Sequence, residues 1–362
     1  MKKYLNALNQ KGSLNWARLL GKFKKQKLKI KLVAIAKNEA AYLPDWIFHH
    51  LYCGFDHISI YVNNTDDNTQ DIVDVLKSEK RVEFVDGNRF FKKYTRPPQI
   101  SIYLHELYRA RWQGYSHVMF LDIDEFLISQ SLELDFHSLV EKIDNKVCSF
   151  EWFHKMDEHQ TFLAPISQSV IGRRAPQVKS IISTTIEFER INPHNVFNAD
   201  LDYSLADGSK VIFTKDNYSK LSVREQQNPL KEWFVMHRML RHEIEYVAAL
   251  KRGRPIGASR QSSIFKDNRN GIFDSSKNEV LHFPEPAYAK YNAERVTFLH
   301  KYKLNILIDI GQEHVLSRYA DVIEMIKNAP KEEAKTLQKV LKNVADKDVL
   351  GAYNIFLSRN QL

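Results

Sequence analysis

Apolar residues along this chain follow two rhythms. Short continuous apolar blocks, the pattern of strands buried on both faces, occupy Lys31–Ala36, His57–Val62, Arg81–Val85 and Val118–Leu121. Between them lie segments with apolar residues near every third or fourth position. The first is Tyr42–Cys53, where Leu43, Trp46, Ile47 and Leu51 share a face and Gly54 supplies a stop; Thr69–Leu76 and Pro98–Trp112 follow. Strands alternating with helices of crossover length predict an α/β fold with a mostly parallel sheet flanked by helices. Beyond Ile128 the rhythm loosens. Val147–Phe153 reads as a strand, 179–191 as two short β-like runs, 200–230 as loop, Trp233–His237 as a short apolar run, and Glu243–Lys251 as a helix stopped by Gly253. From Ala287 onward the pattern is helical. The expected organisation is a basic amphipathic tail at 1–30, a sheet domain at 31–255 and a mostly helical C-terminal extension at 256–362.

Polar clusters close three of the strands: Lys37-Asn38-Glu39, then Asn63 to Asn68, then Asp122-Ile123-Asp124-Glu125. Ligands of open α/β sheets gather at the carboxyl ends of strands. Asp122 and Asp124 are two residues apart, so both carboxylates can lie on one side of an extended segment. Paired oxygen donors at a strand end suit a hard divalent cation carrying a phosphorylated ligand. The bland alternative is a solvated turn or a helix cap. Against it, an apolar strand precedes the acids and Phe126-Leu127 follows them. That confines the acids near the core, where uncompensated carboxylates are costly.

Charge changes the picture at one end only. Residues 1–31 hold ten Lys/Arg and no Asp/Glu, which leaves 43 basic against 44 acidic residues elsewhere and a body of net charge −1. A nearly neutral body argues against a nucleic-acid partner, which needs a basic face. In the tail, lysines interleave with Tyr4, Leu5, Leu8, Trp16, Leu19, Leu20, Phe23 and Leu28. The tail reads either as a helix on an anionic membrane surface or as a solvated basic segment. No apolar run reaches the ~18 residues needed to span a bilayer, and no signal-peptide pattern opens the chain. Cys53 and Cys148 lie in apolar contexts and read as buried free thiols of a reducing compartment. There is no Walker A loop, dinucleotide glycine fingerprint or Cys/His zinc spacing. Any nucleotide must therefore be held by a metal and side chains.

Several of these segments resemble glycosyltransferase family 92 and its bacterial relatives, which are similar to family 2 enzymes of GT-A fold. Residues 33–50, reading VAIAKNEAAYLPDWIFHH, with Gly54 after them, resemble that family's opening motif. Asn63–Thr69 resembles its N.S.D.T segment, Asp122-Ile123-Asp124-Glu125-Phe126 its DIDEF, and Lys179-Ser180-Ile181 with His194 a later segment. His237, Glu245-Tyr246 and Lys251-Arg252-Gly253 resemble its close. The resemblance implies a GT-A-like sheet. It also implies Mn²⁺ or Mg²⁺ held by Asp122, Asp124 and His237, and a nucleotide-sugar bound by Lys37, Asn38, Glu39, Asn63, Asp122 and Ile123. Two positions depart from the pattern. Asn63 stands where classical family 2 enzymes place a uracil-reading Asp, and Arg238 replaces a Tyr after His237. An inverting transfer needs a general base; Asp157 and Glu158, after a strand end, are the candidates, with a solvated acidic loop as the alternative. His49, His50, His57, His105 and His117 read as structural or surface residues.

The expectation is thus a metal-dependent glycosyltransferase of the cytoplasm, peripheral on the inner face of the plasma membrane. It would move a sugar from a nucleotide-sugar donor to a glycan or lipid-linked acceptor, in the making of lipopolysaccharide or capsule. Its rivals are a metal-dependent nucleotidyltransferase or phosphotransferase and a non-catalytic membrane-surface adaptor.

Overall fold

The computed structural model describes residues 28–361 apart from 92–96, 144–146, 157–158, 199, 215–216, 253–262 and 275. The basic tail to residue 27, the candidate bases Asp157 and Glu158, and the expected boundary near 255 lie outside the described residues.

The strands are β1 (Ile30–Ala36), β2 (His57–Val62), β3 (Val82–Asp86), β4 (His117–Phe120), β5 (Glu125–Ser129), β6 (Val147–Lys155), β7 (Ser169–Ser183), β8 (Arg190–Ile191), β9 (Val196–Phe197), β10 (Tyr203–Leu205), β11 (Phe213–Thr214), β12 (Asn217–Leu221), β13 (Trp233–His237) and β14 (Glu279–His282). The helices are α1 (Leu43–Tyr52), α2 (Thr69–Leu76), α3 (Asn88–Phe91), α4 (Pro98–Trp112), α5 (Phe136–Ile143), α6 (Glu243–Ala248), α7 (Glu285–Lys301), α8 (Leu304–Asn328), α9 (Ala334–Val340) and α10 (Lys347–Asn360). The main sheet runs β3-β2-β1-β4-β7-β6-β13-β5.

Its first half matches the predicted alternation. β1 pairs in parallel with β2 and β4, and β2 with β3. The second half corrects the expectation of a mostly parallel sheet. β7 runs antiparallel to both β4 and β6, and β13 is parallel to β6 but antiparallel to β5. Parallel neighbours need a crossover of a dozen or more residues, usually a helix. Among the described residues no helix separates β6 from β7, and the chain turns back on itself. β7 itself is one strand of 15 residues, not two short runs beginning at 179. Gly172, Arg173, Arg174 and Pro176 hide its first part in the sequence. Pro176, which has no N–H to give a ladder, sits where the β6–β7 register slips between Val178 and Ala175. Residues 200–230, expected as loop, carry β10, β11 and β12.

β5 ends the sheet's path, and α1 covers its outer edge. His49 Nε2 donates to the Leu127 carbonyl at 2.7 Å, and His50 Nε2 accepts from the Leu127 N–H at 3.4 Å. The unpaired polar groups of an edge residue are thereby satisfied by two fully buried histidines. His50 Nδ1 donates in turn to the Trp46 carbonyl at 2.8 Å. Helix α7 and the first half of α8 join the sheet's core. Tyr291, Leu299, Leu304, Ile308 and Val315 belong to the same buried cluster as Trp46, Ile47 and the β1 residues. Arg295 of α7 binds Asp45 of α1 through two hydrogen bonds of 2.6 and 2.8 Å. α8 also packs on α6, where Arg318 donates to the Ala248 carbonyl at 2.8 Å. Cys53 and Cys148 are both buried and unpaired.

Candidate active site

β4 stops at Phe120, and the chain turns within five residues to start β5. Asp122 is not on an extended segment, as the sequence spacing suggests. Its carbonyl accepts the Glu125 N–H at 3.0 Å, which makes Asp122–Glu125 a tight turn. Trp46 of α1 clamps it: the indole N–H lies 3.0 Å from the Asp122 carbonyl and 2.9 Å from that of Glu125. The turn sends its carboxylates to different partners.

Asp122, about half exposed, accepts from Lys179 Nζ at 3.2 Å. Glu125 is fully buried, and its Oε2 lies 3.0 Å from the same ammonium and 2.9 Å from the Asp122 N–H. Burial raises Glu125 to about 7. Burial works to lower Lys179, yet Asp122 and Glu125 hold it above its ordinary value, as a firm cation. Asp124 turns the other way, with Oδ2 3.5 Å from His237 Nε2. Burial pushes Asp124 up, but His237, Arg241 and Arg269 outweigh it and hold the carboxyl well below the usual range. His237 ends β13, directly beside Glu125 on one side and His154 on the other. Its Nδ1 is buried without a hydrogen-bond partner among the described residues.

Aromatic rings wall this side. Trp152 lies 4.3 Å from His237 and 5.3 Å from His194 between ring centroids, and His154 lies 5.2 Å from His237. Burial lowers His154 to about 3 and His194 to about 4, so both are neutral. The Trp152 indole nitrogen and His154 Nε2 are likewise buried without partners among the described residues.

The strand ends of β1 and β2 form the adjoining rim. Asn38 adopts a left-handed backbone (φ 54°), and its side chain exchanges hydrogen bonds with Asp66. Asp67 receives the Ala40 N–H at 2.9 Å. Asn63 is buried, and its Oδ1 has no partner among the described residues. Arg241, another left-handed residue (φ 57°), links this rim to the turn. Its guanidinium stacks 3.4 Å over the Tyr42 ring and lies 3.6 Å from Glu39. Non-glycine residues in this conformation cluster at functional sites.

The structure therefore gathers Asp124 with His237, and Asn38 and Glu39 beside them through Arg241. It turns Asp122 towards Lys179 instead. Sequence reasoning missed Arg241, Trp152 and His154. The one available signal was the Trp152-x-His154 alternation at the end of a strand, which places both on one face.

An α/β protein with its polar centre at the carboxyl end of a strand is the class this geometry defines. The sequence profile of glycosyltransferase family 92 matches residues 33–252, and the chain belongs to that family. The matched span holds all the side chains described at the site except Arg269. A family 92 protein of rice (Oryza sativa subsp. japonica) is 30% identical over 91 residues, which is 25% of this chain and 15% of that protein. The chain thus matches only a small part of that relative's length. Two solved structures resemble it distantly. HddC from Yersinia pseudotuberculosis is 12% identical, covering 49% of this chain and 89% of that one, with a TM-score of 0.29. TarS 1-349 from S. aureus is 13% identical, covering 92% of each chain, with a TM-score of 0.27.

Proposed function

We propose that the protein is a divalent-metal-dependent glycosyltransferase that takes a sugar from a nucleotide-sugar donor. The observation that carries this reading is the approach of Asp124 to His237 at 3.5 Å beside the nucleotide-type rim of β1 and β2. A carboxylate oxygen and a buried imidazole with an orphaned second nitrogen fit a cation of Mn²⁺ type better than Mg²⁺, which keeps to oxygen. Among the described residues no group of three or more His, Cys, Asp or Glu side chains forms a shell. Asp124 and His237 would therefore share the cation with donor phosphates and water. When bound, the cation supplies positive charge to a departing diphosphate.

The chain's own residues do the rest. Asn63 Oδ1 offers an acceptor to the base, and Lys37, Asn38 and Glu39 border the nucleotide. Asp122, held by Lys179, accepts from a donor hydroxyl. Arg241 presents a fixed cation between rim and turn, and Trp152 excludes water behind His237. Asp157 or Glu158, just beyond β6, takes the acceptor's proton in an inverting transfer. The acceptor is a glycan or lipid-linked glycan of the lipopolysaccharide or capsule kind.

Thermal unfolding with UDP, GDP or CMP, with and without Mn²⁺, tests the reading. A ligand at 100 times its Kd stabilises by about 2.7 kcal/mol. One nucleotide raises Tm only when Mn²⁺ is present, and Asp124→Asn abolishes the shift. Equal stabilisation of wild type and variant would refute it.

The basic tail supports a peripheral place on the anionic inner face of the plasma membrane. No helix among the described residues is long and apolar enough to cross one. The full chain sediments with phosphatidylserine vesicles at low salt, and a chain lacking residues 1–27, cut short of β1, stays in the supernatant. Equal sedimentation of both would dismiss the tail as the anchor.

A further inference from the structure

The acidic turn carries three carboxylates, yet only one faces the proposed cation position. The other two already have a cation. Lys179 stands on β7, just past the last residues that pair with β4, so its side chain reaches up beneath the turn where β4 ends. It is about 1% exposed, and its ammonium lies 3.2 Å from Asp122 and 3.0 Å from Glu125. Glu125 is fixed by the Asp122 N–H and by burial, so it cannot swing away to release the lysine.

We propose that Lys179 is the internal counter-ion of the acidic turn. It reserves Asp122 and Glu125, so that a divalent cation does not bind firmly until a nucleotide diphosphate arrives with it. Lys179 is thus a positioning residue that sets the order of binding. The inference rests on the metal-dependent reading above.

The argument is electrostatic. A cation on Asp122 would sit within a few ångströms of a buried ammonium, in surroundings where like charges repel far more strongly than in water. That leaves Asp124 and His237, two protein ligands with Arg241 and Arg269 already acting on the carboxylate, for a cation arriving alone. Ions of this class complete such partial shells with substrate phosphates. A nucleotide diphosphate supplies those oxygens and two negative charges. The metal therefore enters as the nucleotide complex.

Electron paramagnetic resonance of free Mn²⁺ measures binding directly, without turnover. Wild type binds Mn²⁺ weakly alone and at least ~10-fold tighter with saturating UDP or GDP. Lys179→Met frees Asp122 and tightens nucleotide-free Mn²⁺ binding by roughly tenfold, while Lys179→Arg keeps the wild-type weakness. Because Lys179→Met also orphans a buried carboxylate, Lys179→Met with Glu125→Gln is measured beside it. The double variant retains Asp122 as the only newly freed acid and shows the same tightening. The proposal is overturned if wild type binds Mn²⁺ tightly without nucleotide, or if neither methionine variant gains affinity. In both of those cases, loss of Mn²⁺–nucleotide binding in Asp124→Asn leaves the glycosyltransferase reading standing. Absence of Mn²⁺ binding with any nucleotide in wild type overturns both together.

Discussion

His49 and His50 show how single residues tie stability to pH. Backbone groups fix the tautomer of each: His49 donates to the Leu127 carbonyl, and His50 Nε2 stays unprotonated to accept the Leu127 N–H. Burial lowers His49 to about 4 and His50 well below its ordinary value. His117 and His194 fall to about 4 and His154 to about 3, again through burial. An unfolded histidine titrates near 6.5, so the unfolded chain takes up protons first. Stability is therefore full above pH 6.5 and is lost as pH falls towards 4. His49 alone accounts for about 3 kcal/mol of that loss, at 1.36 kcal/mol per unit. Glu125, raised to about 7, pulls the other way, but it is one group against five. Urea unfolding at pH 7.5, 6 and 5 should show a falling midpoint already at pH 6, above the carboxylate range; a flat profile down to pH 5 would contradict this. His49 and His50 were readable in sequence only as structural or surface residues. Their partners are 77 and 78 positions away, beyond the reach of local pattern.

At the scale of elements, helix α8 presses on the loop that follows β1. Gly311 is the point of contact: a Cβ there would stand 2.6 Å from the Ala41 nitrogen and 2.9 Å from the Ala40 carbonyl carbon. Alanine in a helix gains up to about 1 kcal/mol over glycine, but a backbone collision costs typically about 1–3 kcal/mol. Gly311→Ala therefore lowers Tm, and it weakens nucleotide binding by displacing Asn38 and Glu39. Gly351, exposed in α10 with nothing near its Cβ position, is the control. Gly351→Ala raises stability by about 0.5–1 kcal/mol. Paired calorimetry decides the matter, since equal signs would dismiss the collision. The first four strands and their helices were legible because continuous apolar runs and 3.6-residue spacing are local signals. The direction of β7 and its first ten residues were not. Gly172, Pro176 and two arginines break the strand pattern, and pairing with β6 and β14 restores it. DIDEF was visible as an acidic turn, but its division between Lys179 and His237 depends on contacts 57 and 113 residues apart.

Over the whole molecule, the family match ends at residue 252, yet the core does not end there. Tyr291 of α7 closes against His49, with the phenol 3.1 Å from Nδ1, and stacks edge-on with Tyr52. The sheet, α7 and the first half of α8 therefore share one apolar interior, reaching from Ile30 on β1 to Val315 on α8, while the end of α8, α9 and α10 pack with α6 in a second cluster. The two cysteines sit inside it. Burial raises Cys148 to about 12 and Cys53 higher still, so neither is a thiolate at neutral pH. An alkylating reagent meets only the thiolate, and meets it only when the surrounding structure opens. One thiol caps the end of α1 and the other lies in β6, so the molecule carries two built-in timers. Equal modification rates would mark a single global opening, and unequal rates would reveal which flank lets go first.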